Sequence, residues 1–121
     1  MIDHVPLEVR DLATAARFYD ALMHPLGGRR IVDSPDGIGY GRNRPELWLM
    51  PRPDAPRGPG GHIAIAAAGR RAVDAAHEAG LAAGGRDAGA PAPRAFGPPS
   101  YYSGYLVDPD GARLELVSGS R

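Results

Sequence analysis

Two stretches of this chain begin alike and lie 58 positions apart. His4 opens the run HVPLEV, and His62 opens HIAIAA. The same offset carries Ala21 onto Ala79 and Gly27 onto Gly85. Each run alternates as a strand does, leads into a helical pattern, and stops at a Gly-Gly pair. A duplicated strand–helix unit with a histidine at the same place in each copy predicts internal pseudo-symmetry. It also brings the two histidines together near the axis. Glu115, in RLELV, adds a carboxylate on a third strand. Two imidazoles and a carboxylate are a donor set for a divalent metal.

The local patterns fill in the two halves. Ile2 to Val9 reads as a strand, and Asp11 as the N-cap of a helix whose apolar face is Leu12, Ala15, Ala16, Tyr19, Leu22 and Met23. Short strands follow over 29–33, 38–42 and 46–50. Residues 51–60 are rich in Pro and Gly and read as a linker. The second half restarts with a strand over 61–68 and an Ala-rich helix over 70–83. A short strand at 86–88 and a Pro-rich loop over 89–100 precede a hairpin of 101–107 and 112–117, turned by Asp108-Pro109-Asp110-Gly111. The expected plan is therefore one domain over 1–121, with modules at 1–50 and 61–121, each β-α-β-β-β. Matching Glu46-Leu47 to Glu115-Leu116 makes Glu46 the first module's counterpart of Glu115. A match shifted by two residues makes it Trp48.

Composition narrows the chemistry. The 121 residues suffice for a single core. A net charge of zero with no basic stripe argues against a nucleic-acid partner. Apolar runs are far short of a membrane span, no signal-peptide pattern opens the chain, and cytoplasm is the default compartment. Cysteine and lysine are both absent, which removes thiolate ligands, a Cys nucleophile and Schiff-base chemistry.

The opening DHVPLEVRDLATAARFYDALMHPLGGRR, the central GGHIAIAA and the closing GYLVDPDGARLELV together resemble the vicinal oxygen chelate superfamily. This is the group of glyoxalase I, bleomycin-resistance proteins and extradiol dioxygenases. The resemblance covers nearly the whole chain. It implies an α+β fold in which two βαβββ modules form a curved sheet around a cup, in a protein that is a homodimer. It also implies that His4, His62 and Glu115 hold a divalent ion (Zn, Ni, Mn, Co or Fe), with Glu46 as a fourth ligand or as the general base. Trp48, Tyr101, Tyr102 and Tyr105 would supply substrate-pocket surface, and loop 89–100 a lid. The implied activity is lyase or isomerase chemistry on a small vicinally oxygenated substrate. Alternatives are a metal-free ligand-binding protein of the bleomycin-resistance kind and an Fe(II) dioxygenase-like enzyme. His77 is expected at a helix–sheet boundary, and His24 at a helix end.

Overall fold

The computed structural model describes residues 1–56 and 62–120. The end of the expected linker and Gly61 lie outside the described residues. The elements run β1 (Val5–Val9), α1 (Leu12–Met23), β2 (Arg29–Ser34), β3 (Gly37–Gly41), β4 (Leu47–Pro51), β5 (Ile63–Ala66), α2 (Arg70–Ala82), β6 (Arg86–Pro93), β7 (Tyr102–Val107) and β8 (Arg113–Ser118). They form two four-stranded sheets of identical order, β1-β4-β3-β2 and β5-β8-β7-β6. In each, the first strand pairs in parallel with the last, and the remaining pairs are antiparallel. The expected α+β architecture of two pseudo-symmetric modules is thus the observed one.

Both helices form for local reasons and end for local reasons. The Asp11 carboxylate accepts from the amides of Ala13 and Thr14 at 3.0 and 3.3 Å, satisfying two N–H groups that a helix start otherwise leaves unpaired. After α1 the chain turns through Gly27 at φ 79°, and the Gly28 amide returns to the Met23 carbonyl. After α2 it turns through Gly84 at φ 106°, and the Gly85 amide returns to Gly80. The left-handed glycines are Gly27 and Gly84, so the repeat has already slipped by one residue from its starting offset.

The core is shared. Phe18, Tyr19 and Leu22 of α1, Val73 and Ala76 of α2, and Leu47, Leu49, Leu106, Leu114 and Leu116 of the sheets belong to one buried cluster. The helices meet where α2 has no side chain: a Cβ on Gly80 would lie 2.6 Å from Leu106 and 3.3 Å from Phe18 and Leu22. With both helices and one face of each sheet used in this core, the other faces are left without helical cover.

A buried polar contact crosses between the modules. The Tyr19 hydroxyl donates to Asp108 Oδ2 at 2.6 Å, while Asp108 Oδ1 accepts from the amides of Asp110 and Ala112. Asp108 is 3 % exposed, and burial raises its pKa despite these donors. Burial and the adjacent carboxylate hold Tyr19 well above the ordinary phenol range, so it remains the donor. The Arg10 amide adds a bond to Asp110 Oδ1 at 3.0 Å. The turn aspartates therefore fasten the second hairpin to the first module.

Several boundaries differ from the sequence reading. β1 starts at Val5, so His4 stands just ahead of it, and Ile2 is exposed. β4 runs to Pro51. The largest correction concerns β6, which continues to Pro93 where a lid loop from 89 was expected. Pro91 and Pro93 lack N–H groups, yet β6 is the outer strand of its sheet, and its register shifts twice between Asp87 and Ala92. An outer strand with such irregularities accommodates prolines that an inner strand would not. Tyr19→Phe should cost about 1–3 kcal/mol, because it strips a donor from a buried carboxylate. Urea denaturation measures this, and an unchanged midpoint would show that the bond does not fasten the modules.

Candidate functional site

Alternation in β8 sends Leu114 and Leu116, both 0 % exposed, into the core and Glu115 to the uncovered face. Glu115 is nevertheless only 3 % exposed, because its neighbours close over it. His62 Nε2 lies 2.9 Å from its Oε1, and the Tyr101 hydroxyl donates to its Oε2 at 2.5 Å. Burial alone would raise the Glu115 pKa. The hydrogen bonds from Tyr101, His62 and Ser103 outweigh it and hold the carboxyl below its usual value. An ionised carboxylate only accepts, so the proton between the two groups sits on His62 Nε2. The same bond pushes Tyr101 up to about 12, which keeps it a donor across the physiological range.

Aromatic side chains surround this pair. Tyr105, directly opposite Glu115 in the β7–β8 register, meets the His62 ring edge-on at 5.8 Å. Phe96, 55 % exposed, meets Tyr101 edge-on at 5.3 Å. Arg94 lies over the Tyr105 ring, 5.2 Å from its centroid. Tyr102 does not share this face: its hydroxyl donates to Asp74 of α2 and Arg70 stacks on its ring, as alternation along β7 requires. Its expected place in the pocket is therefore corrected.

The first module presents a different surface. Pro6 and Ala64 hold the same position in β1 and β5; Pro6 pairs with Trp48, and Ala64 with Glu115. Trp48 is thus the counterpart of Glu115, and the match of Glu46 to Glu115 was two residues out of register. The indole covers Gly39, where a Cβ would fall 3.1 Å from it. Glu46 stands exposed just ahead of β4.

His4 is also apart from the His62–Glu115 pair. It is exposed, with Nδ1 bonded to Asp3 Oδ1 at 2.8 Å, and Asp3 also takes Arg44 at 2.7 Å. The His4 bond, then Arg44, lowers the Asp3 pKa. His4 and Glu46 instead border a cavity of about 350 Å³ between β1, β3, β4 and β5, walled by Met23, Leu26, Ile63 and Ile65. Neither His62 nor Glu115 lines it. Among the described residues no three His, Asp or Glu side chains converge, so one chain does not assemble the expected three-ligand set. The expectation that the two histidines meet near the axis is not met within a single chain, which leaves a site built from two chains.

His77 is at the helix–sheet boundary as expected, 6 % exposed, with Nε2 3.1 Å from Asp87 Oδ1 and 3.2 Å from the Tyr105 carbonyl. His24 is the exposed C-cap of α1. Arg94 was not anticipated, because it follows a Pro-rich stretch that carries no periodic pattern.

The depressed Glu115 pKa sets an expected pH profile. Its ionised form contributes stability above the ordinary carboxyl range, and that contribution is lost as pH falls through the lower folded value. Tyr101→Phe should bring this acid-side loss to higher pH and cost about 1 kcal/mol at neutrality. Urea midpoints measured against pH for both proteins would show it; superimposable acid limbs would mean that Tyr101 does not hold the carboxylate.

Comparison with known proteins places this arrangement. A family model described as a glyoxalase-like domain matches residues 4–117. The fold is similar to that of a glyoxalase/bleomycin resistance protein from Albidiferax ferrireducens, at 30% identity and TM-score 0.85, covering 94% of this chain and 95% of that one. A glyoxalase-related enzyme from Fulvimarina pelagi is similar at 24% identity and TM-score 0.75, over 97% and 86% of the two chains. A glyoxalase/bleomycin resistance protein/dioxygenase family enzyme from Burkholderia phytofirmans shares the fold at 18% identity and TM-score 0.75, over 96% of each. No curated protein matches the chain. Among the described residues no helix is long and apolar enough to cross a membrane. With the duplicated sheets, the His62–Glu115 pair and a family match spanning nearly its whole length, the chain belongs to the glyoxalase-like domains of the glyoxalase/bleomycin resistance/dioxygenase superfamily.

Proposed function

We propose that this protein is a metal-dependent glyoxalase-like lyase or isomerase acting on a small vicinally oxygenated substrate, at a site shared by two copies of the chain. The observation that carries the reading is the His62–Glu115 pair. Its Nε2 and Oε1 are 2.9 Å apart, so the two donor atoms are adjacent, and a metal ion would take the place of the proton they share. The donor types also fit borderline divalent metals, Zn, Ni, Mn, Co or Fe. One chain stops at two such donors. The counterpart of His62 is His4, which is exposed and available to a second copy, and a homodimer joining the two modules would complete the set. A bound ion would supply Lewis-acid polarisation of a substrate carbonyl or hydroxyl.

The remaining roles belong to this chain's side chains. Tyr101 holds Glu115 Oε2, so Oε1 stays turned toward His62. Glu46 borders the same cavity as His4 and would arrive with it, as a general base for the carbon beside the polarised oxygen. Trp48, Tyr101 and Tyr105 form the apolar walls. A second reading is favoured by one observation: Trp48 stands where a fourth ligand would be, and its indole gives the first module an aromatic floor. That suits a metal-free binding protein.

Elemental mass spectrometry of the purified protein separates the two. Near-stoichiometric divalent metal, lost in His62→Ala and in His4→Ala, is the expected result. Mixing and refolding those two variants together should restore binding at the one intact site of the mixed dimer. A protein that takes up no metal after reconstitution would remove the metalloenzyme reading and leave the binding protein.

A further inference from the structure

Arg94 is the residue on the His62–Glu115 face whose charge is unaccounted for. Its Nε donates to Ser103 Oγ at 3.2 Å, and its Nη2 to the carbonyls of Ser103 and Ala90 at 2.7 and 3.0 Å. All three acceptors are neutral. Three other arginines are paired with carboxylates, Arg30 with Asp20 and Asp33, Arg44 with Asp3 and Arg52 with Glu8, while Arg10 Nε donates to the Ala55 carbonyl at 2.7 Å. Among the described residues no carboxylate lies within ion-pair distance of Arg94, and its Nη1 makes no hydrogen bond. Arg42 is likewise held by carbonyls, those of Leu26 and Ala66, but it borders the separate cavity, where Asp3 and Glu46 supply negative charge.

Arg94 stands beside the His62–Glu115 pair. The guanidinium is stacked on Tyr105, and Tyr105 touches His62. The Arg94 backbone amide donates to the Tyr101 carbonyl at 3.0 Å, and the Tyr101 hydroxyl in turn holds Glu115. Three neutral anchors and an aromatic platform hold the group in one orientation, so little side-chain freedom remains to be lost when a ligand binds. A fixed guanidinium with one open edge is suited to accept a carboxylate through charge-assisted hydrogen bonds.

We infer that Arg94 anchors an anionic group of the substrate, and that the substrate class is a small 2-oxo or 2-hydroxy carboxylic acid. Its carboxylate lies on Arg94, and its neighbouring oxygen faces His62 and Glu115. This rests on the reading of that face as the substrate face. Arg94 acts in recognition and takes no part in proton transfer.

The test compares an acid with its uncharged twin. 2-Oxobutanoate and 2-oxobutanamide share a vicinal oxygen pair and differ in charge. Binding is followed by calorimetry on the metal-reconstituted dimer, with wild type, Arg94→Gln and His62→Ala. Wild type should bind the acid at least about tenfold more tightly than the amide, as one charge-assisted contact implies. Arg94→Gln should erase that preference, bringing the affinities for acid and amide together. If Arg94→Gln does not fold, metal-free wild type decides: without the ion it should still prefer the acid to the amide, and that preference should fall with added salt. Two ligands bound alike by wild type, both weakened by His62→Ala, would overturn the anchor and leave the substrate face standing. Binding of neither ligand would overturn both.

Discussion

The contact between α1 and α2 is what the rest of this molecule depends on. Each βαβββ unit has one helix to cover a four-stranded sheet, and here both helices are turned into a common core. Gly80 lets them close to side-chain contact with Phe18 and Leu22. The Tyr19–Asp108 bond, 89 residues apart in sequence, secures the second hairpin to the first helix. Once the helices are committed to that interior, no helix among the described residues remains to cover the opposite faces of the sheets. A buried Glu115 can then exist on such a face only if its own neighbours satisfy it.

That requirement explains the polar cluster. A nearly inaccessible carboxylate is costly unless every lone pair that faces the protein has a donor. His62, Tyr101 and Ser103 meet that need, and the carboxyl remains ionised below its ordinary pKa. Arg94 in turn fixes Ser103, so the cluster is ordered from its outer edge inward. The first module repeats the backbone but not the chemistry: Trp48 lies against Gly39 where the second module holds Glu115. Duplication supplied two equivalent positions, and one now carries an indole while the other carries a charge.

Much of this was legible in the sequence because it is periodic or local. The helix faces at 3.6-residue spacing, the Asp11 cap, the Gly stops, the alternation of Leu114, Glu115 and Leu116, and the boundary position of His77 all follow from nearest-neighbour geometry. What escaped depends on loop length or on distant partners. The alignment of β4 with β8 depends on the sizes of two intervening loops, so the sequence alone leaves both Glu46 and Trp48 as counterparts of Glu115. Asp108 resembled an ordinary turn residue, since nothing near it in sequence announces Tyr19. β6 was cut short because prolines usually end strands, and only the sheet order shows this one to be outermost. Arg94 stood beyond those prolines with no pattern to mark it. The placement of His4 away from His62 depends on how the two modules pack, which the repeat itself does not encode.

The prolines of β6 have a bearing on colloidal behaviour. An outermost strand normally offers a row of amide hydrogens to any passing strand, which is how folded sheets recruit one another into fibrils. Pro91 and Pro93 remove two of those hydrogens, and the shifts in register bend the remainder out of line. The second sheet is therefore a poor template for lateral growth, so copies of this chain that meet in a crowded cell are steered away from strand-to-strand addition there.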